Sequence, residues 1–192
     1  MKSARIQAIL TARTKLGQDP IYLDIETTGL ERNGEIVELC LVDSSGRILF
    51  DSLVKPSRSI PHDAIRIHGI TDEMVKEQPT WLELWPQIEP LIAGRTIGIY
   101  NAEFDLRMIQ QTHYRYRLPW PPSVAFSHFC IMKLYAQYFG EWNSARRTYR
   151  WQSLENAGRQ CRIPIPNSHR ARDDTFLARA VLQFIAADPS AS

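Results

Sequence analysis

Pro20-Ile21-Tyr22-Leu23-Asp24-Ile25-Glu26-Thr27-Thr28-Gly29-Leu30 is the stretch on which the reading of this chain turns. Its first half is rich in β-branched and aromatic residues and predicts a buried strand over 20–26. Side chains on a strand alternate faces, so Asp24 and Glu26 share one face while Ile21, Leu23 and Ile25 enter a core from the other. Two carboxylates on one face at a strand end repel each other unless a cation sits between them. Donors that are all oxygen suit hard cations, Mg²⁺ or Mn²⁺. Thr27-Thr28-Gly29 then breaks the strand, offering hydroxyls and amides to a phosphate or sugar and a glycine that permits close backbone approach. The plain alternative is a solvated acidic strand end and an ordinary turn, and a D-x-E pair alone does not decide between them.

Two further stretches supply what the first lacks. Thr96-Ile97-Gly98-Ile99-Tyr100 reads as a second strand, followed by Asn101-Ala102-Glu103-Phe104-Asp105. Asn101 is suited to cap a helix running through Phe104, Leu106, Met108 and Ile109, which places Asp105 in its first turn. A carboxylate there is also favoured by the helix dipole, so a merely stabilising charge is the competing reading. His169-Arg170-Ala171-Arg172-Asp173-Asp174 leads into a last helix, whose Phe176, Leu177, Ala180, Val181, Phe184 and Ile185 recur with helical periodicity. Asp173 and Asp174 are neighbours about 100° apart on that helix, so only one of them can readily face a shared site. A lone histidine is more often a surface or packing residue, but an imidazole with its ordinary pKa of about 6.5 suits proton removal from water. Carboxylates from three segments and one histidine suit two divalent cations beside a general base, which is chemistry for cutting a phosphodiester bond.

With these residues in hand, the chain resembles the DEDDh 3′–5′ exonucleases, the group of the proofreading epsilon subunits and ribonuclease T-like enzymes. The likeness spans roughly residues 19 to 187. D-I-E-T-T-G-L, N-A-E-F-D and H-x-A-x-x-D are similar to the three exonuclease motifs, in the family's order. Ile67-His68-Gly69-Ile70-Thr71 is similar to an I-H-G-I-T segment common there. The five-position spacing from His169 selects Asp174 over Asp173. The resemblance implies a ribonuclease H-like α/β fold with a mixed central sheet flanked by helices. It implies that Asp24 touches both metals, that Glu26 and Asp174 hold the one binding the attacking water, and that Asp105 serves the second. His169 becomes the base. Thr27, Thr28, Gly29 and Leu30 line the terminal-nucleotide pocket, with His68 near its sugar and Asn101 among the substrate contacts. Tyr100 departs from the family pattern, where many relatives carry histidine, and is read as a substrate-side change. Glu103 adds a charge near Asp105 that the helix is expected to point elsewhere.

Composition bounds rather than decides the function. The 192 residues carry 23 Lys and Arg against 21 Asp and Glu, a net charge of +2, so any pull on nucleic acid must come from local basic patches. Hydrophobic content is 44%, ordinary for a globular domain. Cys40, Cys130 and Cys161 show no paired spacing, which predicts a reduced, cytoplasmic protein. No stretch is long and apolar enough to span a membrane. Residues 1–18 read as a helical extension packed on the domain, 19–187 as the exonuclease domain and 188–192 as a tail.

Strands are expected at 20–26, 35–43, 47–54 and 96–100, with an antiparallel turn at Ser44-Ser45-Gly46. Helices are expected at 81–92, 102–112, 126–139 and 151–160, with Trp81 and Trp85 in the core. Two basic and aromatic regions are candidate contacts for a single strand, where bases stack and arginines meet phosphates. They are His113-Tyr114-Arg115-Tyr116-Arg117 ahead of the Pro119-Trp120-Pro121-Pro122 turn, and residues 142–151. The chain therefore reads as a metal-dependent exonuclease on single-stranded 3′ ends, DNA favoured over RNA, with a DNA polymerase as a conceivable partner. An RNA-trimming exoribonuclease is the alternative of the same chemistry. A nucleic-acid or polymerase docking module is the alternative of another class.

Overall fold

The computed structural model describes residues 2–120 and 126–191. A five-stranded sheet lies at its centre in the order β3-β2-β1-β4-β5. The strands are β1 (Ile21–Thr27), β2 (Ile36–Val42), β3 (Ile48–Leu53), β4 (Thr96–Ile99) and β5 (Ser127–Cys130). β1, β2 and β3 pair antiparallel, whereas β4 and β5 join parallel to β1. The first three strands follow one another through short turns. At the Asp43–Arg47 turn the Asp43 carboxylate accepts from the Ser45 and Arg47 amides, and Gly46 takes a left-handed φ of 92°.

Helices cover both faces, so β1 is buried on each side. α4 (Trp81–Ile92) and α5 (Ala102–Arg115) enclose Ile21, Leu23, Ile25, Leu39 and Leu41. α1 (Lys2–Leu16), α6 (Ile131–Phe139), α7 (Leu154–Gln160) and α8 (Ala171–Ala187) pack over Tyr22 on the other face. The alternation expected of 20–26 is therefore present, and it sends Asp24 and Glu26 to the α8 side. α1 inserts Ala8, Ile9 and Ala12 into the same core as Leu177, Val181 and Ile185 of α8. The remaining elements are α2 (His62–His68), α3 (Asp72–Val75), a small hairpin of β6 (Trp142–Asn143) and β7 (Thr148–Tyr149), and a 3₁₀ turn at Pro189–Ala191.

Several expectations are corrected. The helix expected over 126–139 begins only at Ile131, because Ser127–Cys130 pairs with Thr96–Ile99 as the edge strand. Phe126, Phe129 and Cys130 sit at helical spacing, so their periodicity misleads. The helix expected over 151–160 starts at Leu154, where the Ser153 hydroxyl accepts the Asn156 amide 3.1 Å away. α2 and α3 escape periodicity because they are short. α2 stops at Gly69, whose φ of 72° and 2.8 Å amide bond to the Ile65 carbonyl close the helix.

The stretch from His113 to Arg117 is partly core. His113 is fully buried, ringed by the indoles of Trp81, Trp85 and Trp120 at centroid distances of 5.7, 4.3 and 5.2 Å. Arg115 lies 3.4 Å from the buried Glu35 carboxylate. Tyr114 and Arg117 nevertheless stay exposed, so the alternation divides the stretch between core and surface. The Pro121-Pro122 part of the adjoining turn lies outside the described residues.

Candidate active site

The site forms where β1 and β4 end, because both strands are parallel and release their chains at the same edge. Asp24 and Glu26 come from β1, Asp105 from the first turn of α5, and Asp174 from the first turn of α8. Glu26, His169 and Asp174 place one ligand atom each within 4.8 Å of one another. Asp105 and Asp174 are buried, Asp24 and Glu26 half-buried, and His169 exposed.

Electrostatics describe a cluster of carboxylates short of positive charge. Burial, followed by the charges of Asp105, Asp174, Glu26 and Glu38, pushes Asp24 well above the ordinary carboxylate range. Burial and then Asp174, Glu38 and Asp105 raise Glu26 to about 8. Burial likewise drives Asp105 upward. Asp174 rises less, to about 6, because burial is opposed by the Asn167 amide, by His169 and by the Ser168 N–H. Four crowded carboxylates with all-oxygen donors match what divalent hard cations require. The donor chemistry therefore fits two such ions.

The loop before α8 is built around Asp174. Asn167 and the Ser168 amide both donate to its carboxylate, and the chain then turns through His169 at a left-handed φ of 52°. That conformation is uncommon away from glycine, and it sends the imidazole toward Glu26. Asp173 faces elsewhere, accepting the Ser168 hydroxyl at 2.7 Å.

Glu38 was not anticipated from sequence. It lies on β2 directly opposite Glu26, buried among apolar neighbours. Both its oxygens meet Arg170 Nε, at 3.0 and 3.1 Å, and it also accepts the Ala171 N–H at 2.8 Å. It thus caps α8 from the sheet, fixing the helix start on which Asp174 sits and the loop that carries His169. The one signal available was a charged residue inside an otherwise apolar strand, Ile36-Val37-Glu38-Leu39-Cys40. Replacing it with alanine is expected to cost about 2 kcal/mol, chiefly through the orphaned helix amide, since Arg170 stays partly in solvent. Turnover should fall with it. Urea unfolding and turnover read on one preparation check this, and no change in either contradicts the anchoring role.

The turn after β1 is rigid. Thr27 Oγ1 donates to the Gly29 carbonyl at 3.1 Å, and Thr28 Oγ1 accepts the Glu35 amide at 2.9 Å. Gly29 has a φ of 146°, a conformation that side chains rarely adopt. Leu30 is 71% exposed and overhangs a cavity of about 450 Å³ lined also by Thr27, Thr28, Ile67, His68 and Phe104. His68 reaches this cavity with both ring nitrogens committed. Nδ1 accepts the Ile70 amide at 3.0 Å, which leaves Nε2–H to donate to the Thr27 carbonyl at 3.2 Å. Its imidazole therefore pins the strand end to the α2 turn, and burial lowers its pKa.

Asn101 occupies the N-cap position of α5 but forms no side-chain cap, contrary to expectation. Its backbone ψ of 68° turns the amide away from the helix start, and among the described residues that amide has no hydrogen-bond partner. Glu103 is exposed and lies 3.5 Å from Lys133, away from the cluster. The Tyr100 hydroxyl donates to the Gln152 and Ser153 carbonyls at 3.0 and 3.1 Å, so it joins the β4 end to the chain before α7.

Comparison with known proteins places this arrangement. The profile of a family described as Exonuclease (RNase_T) matches residues 21–182. The chain belongs to this exonuclease family. It is 38% identical over 188 residues to an exonuclease of Escherichia phage 186 named CP81, covering 93% of this chain and 95% of that one. It is 38% identical over 96 residues to the DNA polymerase III epsilon subunit of Pasteurella multocida, covering 45% of this chain and 38% of the subunit. The solved structure of Exonuclease X in complex with 5′ overhanging duplex DNA superimposes with a TM-score of 0.63 at 27% identity, covering 86% of this chain and 89% of that one. The chain is thus a 3′–5′ exonuclease of the DEDDh type, a phosphodiester hydrolase, and membership implies dependence on divalent metal. Among the described residues no helix of this exonuclease is long and apolar enough to cross a membrane.

Proposed function

We propose that the protein removes 5′-mononucleotides from the 3′ ends of single-stranded nucleic acid, DNA in preference to RNA. Asp24, Glu26, Asp105 and Asp174 would hold two cations, Mg²⁺ or Mn²⁺, with Asp24 between them. The observation that carries the reading is the convergence of Glu26, His169 and Asp174 within 4.8 Å, beside carboxylates that burial and mutual repulsion hold short of full ionisation. Bound cations would relieve that repulsion, acidify water and offset charge on the phosphate and leaving oxygen.

The chain's own residues do the rest. The cavity under Leu30 takes the terminal nucleotide, with Ile67 and Phe104 as apolar walls and the Thr27–Gly29 turn as a stiff floor. His169 receives the proton of the attacking water, while Glu26 and Asp174 flank it and stabilise the imidazolium that results. The Asn101 amide, which has no hydrogen-bond partner among the described residues, would meet a phosphate or base. The preference for DNA rests on likeness to Exonuclease X, solved with DNA, and to an epsilon subunit of a DNA polymerase.

The test uses 5′-labelled single-stranded DNA and RNA of matched sequence, each with Mg²⁺, with Mn²⁺ and with a chelator. The expected result is a metal-dependent ladder shortening from the 3′ end, faster on DNA. A faster RNA ladder makes the protein an exoribonuclease. Absence of any ladder, with metal bound, overturns the reading.

A further inference from the structure

The β6–β7 hairpin takes no part in the chemistry above, yet its composition is unlike that of an idle loop. Trp142 and Tyr149 are register partners with rings 5.1 Å apart at 76°. Trp142 is nevertheless 50% exposed, and Trp151, just past the hairpin, is 57% exposed. Large indole surfaces left in water return no packing energy, and such patches mark binding sites. Arg146 and Arg147 in the turn are exposed and have no ion pair among the described residues, whereas Arg150 lies 3.3 Å from Glu141. Residues 141–151 hold three arginines against one glutamate, an excess equal to the +2 of the whole chain. Arg146, Tyr149, Arg150 and Trp151 line one open cavity of about 490 Å³.

The hairpin is also tied to the site. Gln152 and Ser153, directly after Trp151, are the residues whose carbonyls accept the Tyr100 hydroxyl. Tyr100 follows β4 directly and precedes Asn101 and the helix start that delivers Asp105. One hydrogen-bonded junction therefore positions both a metal-site carboxylate and the exposed indole.

We propose that this hairpin is a second nucleic-acid site, binding the unpaired nucleotides that precede the 3′ residue under cleavage. The proposal rests on the exonuclease reading above for what lies in the pocket under Leu30. Arg146 and Arg147 supply the phosphate contacts, and the open indole and phenol faces supply stacking. Stacking on an open indole needs a base with a free face, so the occupant is a single strand, of DNA or RNA. Phosphate contact by the turn arginines makes its grip salt-dependent.

The test compares wild type with Trp151→Ala and with the double variant Arg146→Glu, Arg147→Glu, all at exposed positions. Two substrates are used, a single-stranded oligonucleotide of about 20 residues, which reaches beyond the terminal pocket to the hairpin, and the p-nitrophenyl ester of thymidine 5′-monophosphate, which fills only that pocket. The expected result is unchanged kcat/KM on the ester, with KM for the oligonucleotide raised about tenfold in each variant. The charge-reversed protein should also show a shallower salt dependence. Anisotropy of a fluorescein-labelled oligonucleotide in EDTA gives binding without cleavage, and should weaken by about the same factor. Unaltered oligonucleotide KM and binding in both variants overturn the hairpin site. If wild type hydrolyses neither substrate, the exonuclease reading fails, and the EDTA binding still decides the hairpin.

Discussion

Asp24→Asn is expected to lower turnover by about 10³-fold or more, because it removes the carboxylate at the centre of the cluster while keeping its shape. The same change should stabilise the metal-free protein. Asp24 faces Asp105, Asp174, Glu26 and Glu38, and burial already disfavours its charge. An amide relieves both penalties, by about 1 kcal/mol or roughly 3 °C in melting temperature. The pH dependence follows in sign. Glu26 binds its proton more tightly folded, at about 8, than its ordinary 4.5. The stability from that proton is fully present below pH 4.5 and is lost as pH rises through 8. Wild type in a chelator should therefore melt at falling temperature between pH 5 and 8. Asp24→Asn should flatten that decline, and added Mg²⁺ should raise wild type more than the variant. A variant that melts below wild type in chelator at pH 8 contradicts the repulsion argument, and near-normal turnover removes Asp24 from the site.

Much of this was legible in the sequence, and the reason is local. Asp24 and Glu26 are two apart on a strand, so their common face follows from strand geometry alone, and Ile21, Leu23 and Ile25 in the opposite core complete the alternation. Asp105 and Asp174 lie in first helical turns, which sequence patterns mark well. What the sequence hid depends on partners distant along the chain. Glu38 is 132 residues from Arg170, and nothing in either neighbourhood announces the pair. His113 sits in a stretch that reads as basic and exposed, and only the packing of α4 and α5 puts three indoles around it. Asn101 is the N-cap by sequence and by position, yet its side chain is directed elsewhere, because the β4 end sets its backbone. Ser127–Cys130 mimics a helix until β4 offers it a parallel partner.

His169 offers the second large effect, and its exposure makes the test sharp. His169→Ala is expected to slow turnover by about 10²–10⁴-fold, the usual contribution of a positioned general base. The carboxylates proposed to hold the cations are untouched, so affinity for Mn²⁺ and for a mononucleotide should stay near that of wild type. The left-handed φ of 52° introduces a second possibility, that alanine lets the 167–169 loop relax and lose its bonds to Asp174. Asparagine tolerates that conformation better than alanine, so His169→Asn keeps the loop while still removing the base. Both variants should then be comparably slow, and because the imidazole stands at the surface, free imidazole should restore part of the rate of His169→Ala. The deficit should also narrow at high pH, where hydroxide makes a base less necessary. An asparagine variant that turns over normally while alanine does not would make His169 a conformational residue. Normal turnover in both would leave proton removal to some other group.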